Sequence, residues 1–119
     1  MSKVVKKAPT NLDLHPLLVN RWSPRALDAS DVITSDDLHA ILEAARLAPS
    51  AFNEQPWRFI VGKRGDETFN QILNGLGEFN QKWAKNASAL LLVAGTKQRS
   101  NGDPHKLIVT GKQIGRAHV

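Results

Sequence analysis

Two short stretches hold most of the side chains able to do chemistry. The first is Asn20-Arg21-Trp22-Ser23-Pro24-Arg25-Ala26-Leu27, where two arginines four apart bracket a serine. If the segment is irregular, both guanidinium groups and the hydroxyl can converge on one anion, and the planar fork of arginine suits a phosphate. Two exposed arginines beside a proline turn would read the same way, so the spacing leaves both possibilities open. The second stretch is Ala48-Pro49-Ser50-Ala51-Phe52-Asn53-Glu54-Gln55-Pro56-Trp57. It places two amides, a hydroxyl and a tryptophan between two prolines. Pro49 disfavours helix at the residue before it, and Pro56 keeps the chain extended just ahead of Trp57. A polar loop with fixed ends is a place where binding groups are presented. It is equally an ordinary helix-to-strand connection, and spacing alone does not choose.

Other chemistries find little support. The chain has no cysteine, which excludes disulfides, thiolate metal sites and a cysteine nucleophile. His15, His39, His105 and His118 show no metal-ligand spacing. Ser50 lacks the G-x-S-x-G setting of a nucleophile elbow, and no glycine-rich phosphate loop is present. Sixteen Lys and Arg against eleven Asp and Glu give a formal charge of +5, but the charge is spread and forms no long block. With no tyrosine and no basic stripe interleaved with aromatics, a nucleic-acid partner is not expected. No apolar run approaches the ~18 residues of a membrane span, and the basic N-terminus lacks the apolar core of a signal peptide. The expected setting is the cytoplasm, with no membrane partner.

The elements that must position these stretches can be read in order. At 119 residues the chain makes one domain at most. Residues 1–10 are basic and aperiodic and read as a disordered tail; residues 11–119 read as the domain portion. Leu12, Leu14, Leu17 and Leu18 predict a short helix ending near Asn20, with Asp13 and Pro16 in its first turn. Asp28 to Thr34 is a linker. Thr34 then caps a helix, with Asp37 as the reciprocal acid of a capping box. Leu38, Ile41, Leu42, Ala45 and Ala48 form its apolar face, and Glu43 and Arg46 can pair on the other side. His39 is expected on the exposed side without a partner.

After the proline-bounded loop, Trp57 to Gly62 alternates like a strand, with Trp57, Phe59 and Val61 on one face. Asp66 can cap a helix carrying Phe69, Ile72, Leu73 and Leu76, ended by Gly75 and Gly77. Phe79 to Lys85 adds a further helical turn or two. Ala87 to Gly95 is a near-continuous apolar run, which suits a strand buried on both faces. Asn101-Gly102-Asp103-Pro104 is a turn, and residues 106–119 show weak periodicity. Helices mixed with strands in this order give an α+β or mixed α/β domain.

Joined by the helix end Ile41-Leu42-Glu43-Ala44-Ala45-Arg46-Leu47-Ala48-Pro49-Ser50, the two stretches resemble the nitroreductase family of FMN-dependent oxidoreductases. The resemblance covers about residues 20–95. Its specific part is Pro49-Ser50-x-x-Asn53-x-Gln55-Pro56-Trp57 in a helix-to-strand setting; the arginine segment alone is not diagnostic. The resemblance implies an α+β fold, a sheet flanked by helices, in a homodimer with FMN at the subunit interface. Carried over by position, Arg21, Ser23 and Arg25 would hold the FMN phosphate and ribityl chain, with Trp22 adding backbone contacts. Ser50, Asn53 and Gln55 would reach the flavin of the partner subunit, and Asn80 would contact the ring region. Trp57 is expected in the core. The implied reaction is ping-pong, with NAD(P)H as hydride donor and a nitroaromatic, quinone or similar small molecule as acceptor. No side chain is required as general acid or base, so no catalytic residue and no metal are named. The family domain extends beyond this chain, which therefore reads as a truncated or frame-disturbed front portion. The faint echo of a family helix at Val109 to Gly115 lacks its Asp. Flavin binding without turnover is the alternative.

Overall fold

The computed structural model describes residues 6–104. Expectations for residues 1–5 of the basic tail and for the segment from 105 to 119, the faint family echo included, lie outside the described residues. The elements are α1 (Pro16–Asn20), α2 (Ser35–Arg46), a 3-10 turn (Ala51–Asn53), β1 (Trp57–Lys63), α3 (Glu67–Asn74), α4 (Glu78–Ala84) and β2 (Ala89–Gly95).

Local chemistry explains where the helices begin and end. Helix α1 is shorter than its leucine spacing predicts. It starts at Pro16, whose missing N–H and fixed φ suit a first helical position, and His15 caps it by accepting from the Leu17 amide. Asp13 therefore lies outside it. Thr34 caps α2: its hydroxyl oxygen accepts from the Asp37 amide at 3.0 Å. Asp37 returns the contact side chain to side chain, its carboxylate accepting from the Thr34 hydroxyl at 2.7 Å. The helix stops at Arg46, two residues short of Ala48, because Pro49 disfavours the helical conformation before it. Glu43 and Arg46 form the expected pair, with two contacts of 2.6 and 2.9 Å. His39 is exposed, as expected. Asp66 both caps α3, accepting from the Phe69 amide at 2.6 Å, and closes the preceding turn, accepting from Lys63 N at 2.8 Å.

The two strands pair antiparallel, Trp57 opposite Gly95 and Lys63 opposite Ala89. Helix α3 lies against both, and α4 packs on α3. The approach is closest at Gly62. A Cβ built there would lie 2.3 Å from the Phe69 nitrogen and 2.5 Å from its Cα. Only glycine lets the strand and helix backbones meet at this point. Phe69 is buried at this point; Ala84 of α4 and Leu38 of α2 are the other buried hydrophobic residues among those described. Trp57, expected in the core, is half-buried at the start of β1.

One expectation is corrected. The apolar run of β2 is not covered on both faces. Its first three residues are half-buried, whereas Leu92 to Gly95 are exposed. Among the described residues the sheet has two strands, so β2 has one hydrogen-bonded neighbour. Ile60 and Leu92, opposite one another in the register, remain 47% and 48% exposed. An apolar ledge of this kind is what a further layer or a second chain would cover.

Candidate functional site

The arginine segment runs without regular structure between α1 and α2, as required if its side chains are to converge. Arg21 Nη1 donates to Ser23 Oγ at 3.3 Å. Arg25 reaches away from this pair and stacks on Phe79 of α4, its guanidinium carbon 5.2 Å from the ring centroid. Lys6 lies 5.0 Å from the centre of the Trp22 ring. Among the described residues neither Arg21 nor Arg25 is paired with a carboxylate. Arg21 holds the Ser23 hydroxyl and Arg25 rests on Phe79, which leaves two cations without a carboxylate partner among the described residues, donors that suit a phosphate dianion.

The linker after this segment is tied to the sheet by Arg64. Its guanidinium donates to the carbonyl of Asp31 and, at 2.8 Å, to that of Asn86, while its own amide bonds Ser88 O at 2.9 Å. Asp28 closes a small turn by accepting from both the hydroxyl and the amide of Ser30. These bonds, the hydroxyl's first, with a lesser pull from Arg64, hold its carboxyl below the usual carboxylate range.

The Ser50–Gln55 loop has an unusual backbone. Phe52, Asn53 and Gln55 all lie in the left-handed region, at φ of 55°, 54° and 46°. Asparagine tolerates that region; phenylalanine and glutamine occupy it only where surrounding contacts enforce it. Inside the loop, Ser50 Oγ accepts from the Gln55 amide at 2.8 Å, and Ser50 O from the Asn53 amide at 2.9 Å. Arg58 Nη1 donates to the carbonyls of Gln55 (3.1 Å) and Trp57 (2.7 Å). Ser50, Asn53 and Gln55 are therefore brought together. Ser50 uses one lone pair of its hydroxyl on the loop itself, which helps hold the bend and leaves the O–H as a donor.

Contacts also come from far along the chain. Glu54 accepts from both the amide and the hydroxyl of Ser100, at 2.8 and 2.9 Å. Arg99 lies over Phe52, 5.6 Å from the ring centroid, and the Thr96 amide donates to Pro56 O at 2.7 Å. The donor segment is itself a tight turn. Gln98 bridges Pro104, Arg99 N donates to Asp103 O, and Gly102 takes φ +88°.

Asn80 sits on α4, one residue past Phe79, and its side-chain oxygen accepts from Trp83 Nε1 at 3.2 Å. The Arg25–Phe79 contact thus joins the arginine segment to the helix that carries Asn80. No hydrogen bond joins residues 21–25 to residues 50–55 within the described chain. Glu54, Ser100, Arg99 and Phe79 are absent from the residues chosen by sequence reasoning. No local pattern links Glu54 to a serine 46 positions away, and an exposed helical phenylalanine carries no signal of an arginine above it.

A family model described as the nitroreductase family matches residues 18–109, a span that includes both stretches. The chain belongs to the nitroreductase family. Among curated relatives, it is 34% identical over 85 residues to the major NAD(P)H-flavin oxidoreductase of Aliivibrio fischeri, covering 67% of this chain and 39% of that protein. It is 36% identical over 81 residues to an oxygen-insensitive NADPH nitroreductase of Helicobacter pylori, covering 68% of this chain and 38% of that protein. The chain thus spans about two fifths of the length of these relatives. Among solved structures, an oxidoreductase containing FMN superposes with a TM-score of 0.74 at 39% identity, over 90% of this chain and 55% of that one. The enone reductase CLA-ER superposes with a TM-score of 0.64 at 33% identity, over 73% of this chain and 41% of that one. The α+β arrangement of helices on an antiparallel sheet is accordingly the nitroreductase fold, represented here in part. No helix among the described residues is long and apolar enough to cross a membrane, and these residues hold no cluster of potential metal ligands.

Proposed function

We propose that this chain supplies the phosphate-binding segment and flavin-facing loop of an FMN-dependent oxidoreductase that moves electrons from NAD(P)H to a nitroaromatic, quinone or similar acceptor. The observation that carries the reading is the contact of Arg21 with Ser23, with Arg25 two residues on, neither arginine paired with a carboxylate among the described residues of a nitroreductase-family chain. Arg21, Ser23 and Arg25 fit the phosphate of FMN. Two guanidinium groups neutralise its charge, and the hydroxyl adds a donor. Trp22 contributes backbone contacts from the same segment. Asn53 and Gln55 offer amide donors and acceptors to the polar edge of the flavin, with Ser50 holding their loop in shape. Asn80 lies on the helix reached by Arg25 and serves the ring region. When bound, the flavin supplies hydride uptake and delivery, which no side chain here can do. The chain's part is to bind, orient and shield it. With donor and acceptor using one place in turn, the kinetics are ping-pong.

The exposed ledge of Ile60 and Leu92, with Leu17 at 76% and Leu12 at 73% exposure, supports assembly with a second copy. In such a homodimer the loop and the arginines of one site come from different subunits, in keeping with the lack of any hydrogen bond between them among the described residues. The same exposed surface favours a second reading, flavin binding without turnover, if the covering layer does not assemble on this chain alone. The proposed setting is the cytoplasm.

Titration with FMN followed by flavin fluorescence tests the binding step. Bleaching of the bound flavin by NAD(P)H, then its return on adding a nitroaromatic, separates turnover from binding alone. A chain that FMN neither binds nor stabilises against heat overturns both readings.

A further inference from the structure

We infer that Ser100 is a positioning residue for the Phe52–Gln55 loop, and that the turn it belongs to acts as a latch setting how often that loop is in its flavin-receiving shape. The inference rests on the flavin-binding reading above but goes beyond it, because neither Ser100 nor Glu54 belongs to the residues expected to touch the cofactor.

Three non-glycine residues in four positions adopt left-handed φ, an arrangement that a free loop would leave. Bonds within the loop hold Ser50, Asn53 and Gln55 to one another, and Arg58 of β1 holds the Gln55 carbonyl. The turn after β2 adds an anchor from the other side. Ser100 places two donors on the Glu54 carboxylate, Arg99 lies 5.6 Å from the centre of the exposed Phe52 ring, and Thr96 holds Pro56. Glu54 stands between Asn53 and Gln55, the two residues whose amides would face the flavin. Gripping Glu54 from outside therefore fixes both neighbours without occupying either. The turn is closed by its own bonds. Asn101 Oδ1 accepts from the Asp103 amide, Asn101 Nδ2 donates to the Asp103 carboxylate, and Gly102 takes the positive φ that the bend requires.

The energetic consequence lies in populations. A ligand that binds one loop conformation has its apparent affinity reduced by the fraction of time that conformation is absent. Without the Ser100 hydroxyl the carboxylate keeps one of its two Ser100 donors, so the loop is loosened and not released.

The test uses Ser100→Ala and Ser100→Thr in the full chain, with FMN as the probe. Two readouts are needed: the FMN dissociation constant and amide hydrogen exchange without FMN. Ser100→Ala is expected to raise the dissociation constant about three- to tenfold, as when the competent fraction falls to roughly a tenth to a third. Exchange should quicken at residues 52–55 while α3 and β1 stay as protected as in the parent. Ser100→Thr keeps the hydroxyl and should restore both. Adding Glu54→Ala to Ser100→Ala should weaken binding by less than the two single effects combined, since both act through one contact. Unchanged FMN affinity in Ser100→Ala, or exchange that rises throughout the molecule, overturns the inference while leaving the flavin reading intact. A parent chain that takes up no FMN overturns both.

Discussion

Arg25 stacks on Phe79, its guanidinium carbon 5.2 Å from the ring centroid, and so ties the irregular segment after α1 to the helix that carries Asn80. The contact holds at a defined place one of two arginines that have no carboxylate partner among the described residues. A carboxylate there would compete with an incoming phosphate; an aromatic face does not.

That relationship gives a graded expectation for flavin affinity. Phe79→Leu keeps an apolar surface but removes the ring, whose exposed cation–π contact contributes about 0.5–1 kcal/mol. FMN should bind about two- to fivefold more weakly. Arg21→Ala and Arg25→Ala each remove a charged donor and should cost about tenfold or more. Fluorescence titration measures all three. Arginine variants that bind FMN as the parent does would refute the phosphate assignment.

Gly62 is where strand and helix backbones meet. An added Cβ would lie 2.3 Å from the Phe69 nitrogen and 2.8 Å from the Thr68 carbonyl carbon, both backbone atoms that cannot turn aside. Gly62→Ala should destabilise the chain by about 3 kcal/mol, the upper part of the range for overpacking. Urea unfolding monitored by circular dichroism gives the figure. A midpoint equal to the parent's would show that β1 and α3 separate freely.

Acid should weaken the start of α3. The amides of Phe69 and Lys63 both donate to the Asp66 carboxylate and hold its carboxyl below the ordinary value of 3.8. A carboxyl whose folded value is depressed contributes stability above its unfolded value, and that contribution fades as pH falls through the folded value. Asp66→Asn should therefore melt below the parent at neutral pH, with the gap closing as the pH drops below about 4. A gap that stays constant from about pH 7 to about pH 3 would show that the charge is not what matters. The site is exposed, so the effect is small and best measured as a difference in melting temperature.

Thr34 caps α2 and also donates its hydroxyl to Asp37. Thr34→Ala leaves the Asp37 amide without its acceptor and should cost about 1 kcal/mol, whereas Thr34→Ser should be close to neutral. Equal stability of the alanine and serine variants in chemical denaturation would contradict the cap.

The parts legible in the sequence are those fixed by neighbours along the chain. Pro49 and Gly75 mark helix ends, Thr34 and Asp66 mark starts, and alternation from Trp57 marks a strand, because each rests on contacts within about four residues. The string from Pro49 to Trp57, joined by its helix to the arginine segment, likewise indicated the family, since residue types and order are read directly. What only the tertiary structure decided are contacts between distant segments. The exposure of Leu92 and Val93 depends on how many layers cover the sheet, which a run of apolar residues does not state. The left-handed backbone at Phe52 and Gln55 runs against the local preference of both residue types, so nothing in the loop announces it. It is held from outside as well, by Glu54 gripped from Ser100 and Phe52 met by Arg99. Local bonds written into the sequence choose the elements; long-range bonds, which no short pattern encodes, choose the shape of the loop that would meet the flavin.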